Sequence, residues 1–329
     1  MELKIANKIC APGAKTSGML DCGTYFPNAP KDYIREVAEV PFSVIRGTED
    51  GPTLAIAGGM DPTEYAGIAA VIRISREIDP KKLRGNLILI HVANILGFWE
   101  RKYVTSLDQK RLTSEFPGDA GGTITQAIAY HIFHECIAKS NYYIELHGSD
   151  SPESIEPYSA FYRVGNEAVD AKSEALAKAL GHRYVGAREE LLGEELKSGP
   201  RVANQNGIPS AISEVGEGDR LLDREVDAQF EAACNAMRHI GMLPGEPRIP
   251  EDQVVTPQTL IRVNHSGLFY AQADVGAILK KGAPIGIVRD LFGDELETVR
   301  APADGVVLCM IHNPVVQAGE PLVLIYALL

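Results

Sequence analysis

Apolar and polar positions follow two regimes along this chain. Up to about residue 245, short apolar runs alternate with stretches of helical period. Residues 54–57, 86–94, 142–147 and 208–214 are apolar or β-branched runs of strand length, as expected of strands buried on both faces. Residues 68–78, 123–139, 168–180 and 225–241 carry apolar side chains at helical spacing, and residues 201–207 end a further helix. Residues 38–47 and 157–164 read as additional strands, 49–52 as a turn, and 16–25 as an edge strand and turn. The strand–helix–strand order predicts right-handed crossovers and a largely parallel core.

Residues 243–251 are rich in Pro and charge and mark a linker. Beyond them helical periodicity stops, and short strands are separated by glycines such as Gly267, Gly276, Gly282, Gly305 and Gly319. The pattern predicts an α/β domain over residues 1–245 and a small all-β barrel or sandwich over 255–329.

Composition narrows the function. The chain has 329 residues, with 32 Lys plus Arg against 44 Asp plus Glu, a formal charge of -12. That balance disfavours nucleic acid and anionic membranes as partners and says little about a small substrate, because a local cluster can oppose the global field. No apolar run approaches a membrane span, and the N-terminal residues lack a signal peptide's apolar core. Five scattered cysteines without CxxC spacing predict free thiols in a reducing cytoplasm.

Candidate chemistry gathers at the ends of three predicted strands. Residues 54–57 run into Gly58-Gly59, then Asp61 and Glu64, then a helix. That places two acids at the carboxyl end of a strand, where open α/β sheets bind ligands. Taken alone, the stretch reads as a helix start, with Asp61 as N-cap before Pro62 and Glu64 as a first-turn acid. A second strand ends in Glu145-Leu146-His147-Gly148 and a third in Glu214-Val215-Gly216. Two near ligands, a distant ligand and a separate carboxylate make the arrangement of a mononuclear metallohydrolase. His131 and His134 lie three apart on one predicted helix, but with no third ligand nearby they read as an ordinary helix face.

These motifs resemble those of the succinylglutamate desuccinylase/aspartoacylase family, relatives of the zinc carboxypeptidases. That family shows Gly-Gly-x-His-Gly-x-Glu-Tyr, then Asp-Leu-His-Gly, then Glu-x-Gly. The corresponding stretches here are residues 58–65, 145–148 and 214–216. Asp61 stands where the family has its first zinc-binding His. The family's Asn-Leu-Asn-Arg-x-Phe-Pro-Gly run falls on residues 111–118, within a long predicted loop between Ile95 and Gly118. Its first Asn falls at Arg111. Its second Asn and its Arg, which contact substrate, fall at Thr113 and Ser114, so the usual fork for a substrate carboxylate is missing. Arg111 is a candidate for the missing cation from a neighbouring position. Arg101, or Lys102 in a shifted alignment, lies where members carry an arginine that polarises the scissile carbonyl, and Asn94 matches an Asn at a strand end.

The resemblance implies a zinc-carboxypeptidase-like, mostly parallel mixed sheet flanked by helices, with a C-terminal all-β domain. That last domain is similar to biotinyl and lipoyl carriers but lacks their lysine tip, so no biotin or lipoate is expected. In the family it shields the active-site mouth or mediates oligomerisation, and a homo-oligomer is compatible with it. The implied reaction is hydrolysis of the amide of an N-acylated amino acid or a similar small molecule. Asp61, Glu64 and His147 are the implied ligands of one divalent metal, zinc in the family; an oxygen-rich set also suits Mn²⁺ or Mg²⁺. Glu214 is the implied general base, and Arg101 the oxyanion partner. Asp61→His is expected to restore the family's ligand set. The alternative is a degenerate, non-catalytic member that binds a small ligand in the former active site. A peptide-cleaving carboxypeptidase is disfavoured without an arginine for the terminal carboxylate.

Overall fold

A computed structural model describes residues 3–23, 38–150, 153–188 and 197–328. Residues 24–25 of the expected first turn, and Ser151 and Pro152 after His147, lie outside the described residues. A hairpin of β1 (Leu3–Ile5) and β2 (Lys8–Cys10) precedes β3 (Ala14–Asp21), β4 (Glu39–Arg46) and β5 (Glu49–Gly58). Helix α1 (Tyr65–Glu77), β6 (Arg84–Ile90) and the short α2 (Ile95–Glu100) follow. A 3₁₀ turn (Leu112–Ser114) and α3 (Ile124–Glu135) lead to β7 (Tyr142–His147), β8 (Glu153–Ile155) and β9 (Tyr158–Tyr162). Then come α4 (Glu167–Ala179), β10 (Tyr184–Arg188), α5 (Gly199–Gln205), β11 (Ser210–Glu214) and α6 (Asp223–His239).

The central sheet is mixed. Strands β6, β5, β7 and β11 run parallel side by side, β9 joins β11 antiparallel, and β10 is parallel to β9. On the other side β4 and then the edge strand β3 add antiparallel. The period-2 alternation of β5 divides its side chains between two cores. Ala55 and Ala57 face a cluster that includes Phe42, Ile88, Ile90, Ile128 and Ile132. Leu54 and Ile56 face Val71, Ile74, Leu87, Leu146 and Ala233 on the opposite side. Helices on both faces explain why these strands read as continuous apolar runs.

The C-terminal region is β throughout its described residues: β12 (Val254–Arg262), β13 (Gly267–Ala271), β14 (Ile278–Leu279), β15 (Pro284–Arg289), β16 (Glu295–Arg300), β17 (Gly305–Ile311), β18 (Val315–Val316) and β19 (Pro321–Ala327). It is not hung on a free linker. Val254–Pro257 of β12 pair parallel with β10, and Gln258–Arg262 pair antiparallel with β19. One strand therefore belongs to both regions, and the central sheet continues through β19 and β17. Strands β13, β15, β16 and β18 form a second sheet over a separate core that includes Phe269, Ile285, Val288 and Leu322. β8 pairs with β17, fastening the segment after His147 to the C-terminal strands.

All five cysteines are free thiols. Among the described residues, no helix is long and apolar enough to cross a membrane.

Candidate metal centre and active site

The site is assembled by strand register. Gly58 of β5 pairs beside Leu146 of β7, and His147 pairs with Glu214 of β11. The carboxyl ends of three adjacent parallel strands therefore open on one point. Gly59, at φ +67°, turns the chain sharply out of β5 in a conformation that L side chains rarely adopt. Gly67 lets the first turn of α1 press onto β7, since a Cβ there would lie 2.1 Å from the Leu146 carbonyl oxygen. Together these glycines carry Asp61 and Glu64 over the end of β7.

Asp61 is not the helix cap that the local sequence suggests. Helix α1 begins at Tyr65, its N-cap position is Glu64, and no side chain caps it. Asp61 instead joins Glu64 and His147 in a buried group whose candidate donor atoms all lie within 4.8 Å of one another. His147 Nδ1 is 2.8 Å from Glu64 Oε2 and 3.6 Å from Asp61 Oδ2. The opposite ring nitrogen, Nε2, lies 2.7 Å from Glu145 Oε2. Tyr143 donates its hydroxyl proton to Glu145 Oε1 at 2.7 Å.

The donor chemistry fits a divalent cation. Glu64 Oε2 is buried and has no hydrogen-bond partner, despite its close approach to the imidazole. A neutral His147 that donates from Nε2 to Glu145 turns the lone pair of Nδ1 toward two carboxylates. Burial, reinforced by Asp61, raises the Glu64 carboxyl well above its usual range against the opposing pull of His147. Burial would lower His147, but the charge of Glu64 and the hydrogen bond to Glu145 raise it well above the usual histidine range. A metal competes with that proton for the same pocket of negative charge.

A cavity of about 350 Å³ opens beside this group. Asp61, Glu64, Arg111, Thr113, Ser114, His147 and Glu214 all line it. Glu214 is buried and faces a charged partner, with Arg188 Nη2 3.0 Å from its Oε1. Arg188 sits between Tyr158 and Tyr162 and keeps its Nε without a partner. Arg111 grips Asp61 with both arms of its guanidinium, Nε donating to Oδ1 at 3.0 Å and Nη2 lying 2.9 Å from Oδ2. Asp150 and Glu153 also line the wall, and burial, with Asp61 and Glu153 nearby, pushes the Asp150 carboxyl up to about 7. Cys309 of β17 completes the lining from the C-terminal sheet.

Two expected residues lie elsewhere. Arg101 is exposed at the C-terminal end of α2, in a left-handed conformation at φ 55°, and does not line the cavity. Asn94 is the N-cap of α2; its Oδ1 accepts from the Gly97 N–H at 2.9 Å and its Nδ2 donates to the Tyr103 carbonyl. The stretch between Ile95 and Gly118 is not a structureless loop: it holds α2 and the 3₁₀ turn that presents Thr113 and Ser114. His131 and His134 both pack against the Tyr130 ring along α3, the first edge-on and the second tilted. Sequence reading gave no role to Arg188, Glu145, Asp150 or Glu153. Only Glu145 carried a signal, two residues before His147 on a predicted strand and so on the same face.

Residues 50–240 match the model of the succinylglutamate desuccinylase/aspartoacylase catalytic domain. The chain is 24% identical over 293 residues to an N-alpha-acetyl-L-2,4-diaminobutyric acid deacetylase from Halomonas elongata, covering 87% of this chain and 85% of that one. Its fold is similar to the product-bound structure of the ectoine utilization protein EutE (DoeB) from Ruegeria pomeroyi, with a TM-score of 0.84, 22% identity and 95% of each chain covered. It is also similar to a succinylglutamate desuccinylase/aspartoacylase from Rhodobacter sphaeroides, with a TM-score of 0.79, 20% identity, and 88% and 89% of the two chains covered.

Proposed function

The chain belongs to the succinylglutamate desuccinylase/aspartoacylase family, a family of hydrolytic enzymes, and on that premise we propose that it is a metal-dependent deacylase of small N-acylated amines. The observation that carries this reading is the convergence of Asp61, Glu64 and His147 beside Glu214 in one cavity. Asp61, Glu64 and His147 would hold one divalent ion, which when bound supplies Lewis acidity and makes water more acidic. Zinc is the first candidate, and the two carboxylates also suit Mn²⁺ or Mg²⁺.

Glu214 accepts a proton from the attacking water and passes it to the leaving amide nitrogen. Arg188 orients that carboxylate through its 3.0 Å contact. The Arg188 guanidinium and the hydroxyls of Thr113 and Ser114, which line the cavity, receive the polar parts of the substrate. Arg101 is not used, because it does not reach the cavity. The Asp150 and Glu153 carboxyls, both raised by burial, also line the cavity and offer acceptors that suit an N-acylated amino acid with a second, free amino group. That is the chemistry in the name of the Halomonas relative.

The rival reading, a metal-free binding protein, draws on the Arg111 fork that already occupies both oxygens of Asp61. Hydrolysis assays on N-acetyl amino acids and N-acetyl diamino acids separate the two. Metal-loaded parent should release acetate, and Glu214→Gln should lose at least about 100-fold in kcat, in the range of a lost general base. Ligand binding by the parent without release of acetate, with every candidate metal supplied, would establish the binding protein instead.

A further inference from the structure

We propose that Arg111 and Asp61 form a charge-compensated exchange pair, in which the guanidinium makes a carboxylate usable where a neutral ligand would otherwise stand. The inference rests on the metal-site reading above. Two departures from the family pattern, Asp61 for a His and Arg111 for an Asn, are separated by 50 positions in the chain and in direct contact in the fold. The contact is a two-point fork onto Asp61. Its geometry is held from behind. The Tyr103 ring packs 5.2 Å from the guanidinium carbon, and the Arg111 backbone is bridged to Val104. Asp61 Oδ2 faces Arg111 on one side and His147 Nδ1 on the other, at 2.9 and 3.6 Å. A carboxylate oxygen has two lone pairs, so one can accept from Arg111 while the other is offered to an ion.

Charge decides what the pair does. Asp61 and Glu64 with a neutral His147 carry a charge of about -2, which Arg111 brings to about -1. A neutral ligand at position 61 without an arginine at 111 gives the same total. Replacing Asp61 alone therefore does not rebuild a family-like site. It leaves a cation facing the metal position with its nearest counter-charge removed and only the more distant Asp150, 3.8 Å from Nη2, still paired with it. The expectation that Asp61→His restores the ligand set is thus revised: the restoration requires both residues.

Zn²⁺ and Co²⁺ titrations of chelator-stripped full-length protein, by competition with a chromophoric chelator, test this without reference to turnover. Asp61→His should weaken binding by at least about tenfold, the size expected when one charge near an ion loses its partner. Arg111→Asn should tighten binding, whereas a merely structural arginine would weaken it when removed. The double variant Asp61→His/Arg111→Asn should return to near the parent value, and Arg111→Lys, which keeps the charge, should stay closer to the parent than Arg111→Asn. Asp61→Asn, alone and with Arg111→Asn, repeats the cycle with an isosteric residue should the imidazole disturb the fold. A double variant that stays as weak as Asp61→His, or weaker binding in Arg111→Asn, would overturn the exchange pair and leave the metal site standing. A parent that binds neither ion would overturn both.

Discussion

Glu145 and His147 lie two residues apart on β7, and their side chains meet at 2.7 Å between Oε2 and Nε2. Strand alternation puts Tyr143, Glu145 and His147 on one face, so a single strand carries a hydroxyl, a carboxylate and an imidazole in sequence. The carboxylate fixes which nitrogen of His147 points at Asp61 and Glu64. Glu145→Gln should lower divalent metal affinity by roughly 10- to 100-fold, the usual consequence of losing such an orienting partner. Metal titration checks this, with the far-UV circular dichroism of the variant expected to match the parent.

Gly67 should resist the smallest possible enlargement. Its position against the Leu146 carbonyl leaves no room for a methyl group, and the neighbour is backbone rather than a flexible side chain. Gly67→Ala should cost roughly 1–3 kcal/mol of stability by overpacking. It should also weaken metal binding, because α1 carries Glu64 at its N-cap. Urea unfolding and metal titration measure the two effects, and an unchanged midpoint would contradict the close approach of α1 to β7.

His182 gives a pH dependence away from the site. It is buried, its Nε2 lies 2.8 Å from Ser213 Oγ, and burial lowers it from 6.5 to about 4. The folded protein therefore keeps this ring neutral where the unfolded chain takes up a proton. Its contribution is intact above pH 6.5, is lost as pH falls toward 4, and levels off below. The cost at the acid end is roughly 3 kcal/mol from the size of that shift. Denaturant titrations from pH 7 to 4 should show a shallower loss of stability in His182→Gln than in the parent. Equal slopes would show that another group carries the effect.

Much of the architecture is legible in the sequence because it is local. Residues 54–57, 86–90 and 142–147 form strands where continuous apolar runs announce burial on both faces. Asp61, Glu64, His147 and Glu214 meet because parallel strands with matched register bring their carboxyl ends together, which follows from recognising the strands. Other features depend on contacts that no local pattern encodes. Arg188 reaches Glu214 across β9, and Arg111 reaches Asp61 from a connection 50 residues away. Arg101 reads as a site residue by alignment, yet it is exposed at the end of α2. The linker-like composition of residues 243–251 hides the fact that β12 then joins β10 and extends the same sheet. Pairing partners are a long-range property, and turn-rich composition says only that a chain bends.

The central claim is that Asp61, Glu64 and His147 hold one divalent ion next to Glu214. Equilibrium metal titration of the chelator-stripped chain, with Zn²⁺, Mn²⁺ and Mg²⁺ in turn, addresses it most directly. The account predicts about one ion per chain in the parent, loss of that ion in Glu64→Gln and His147→Ala, and its retention in Glu214→Gln, because a base that is not a ligand is not needed for binding. Equal binding in the parent and in a Glu64→Gln/His147→Ala double variant would contradict it, since the ion would then sit elsewhere.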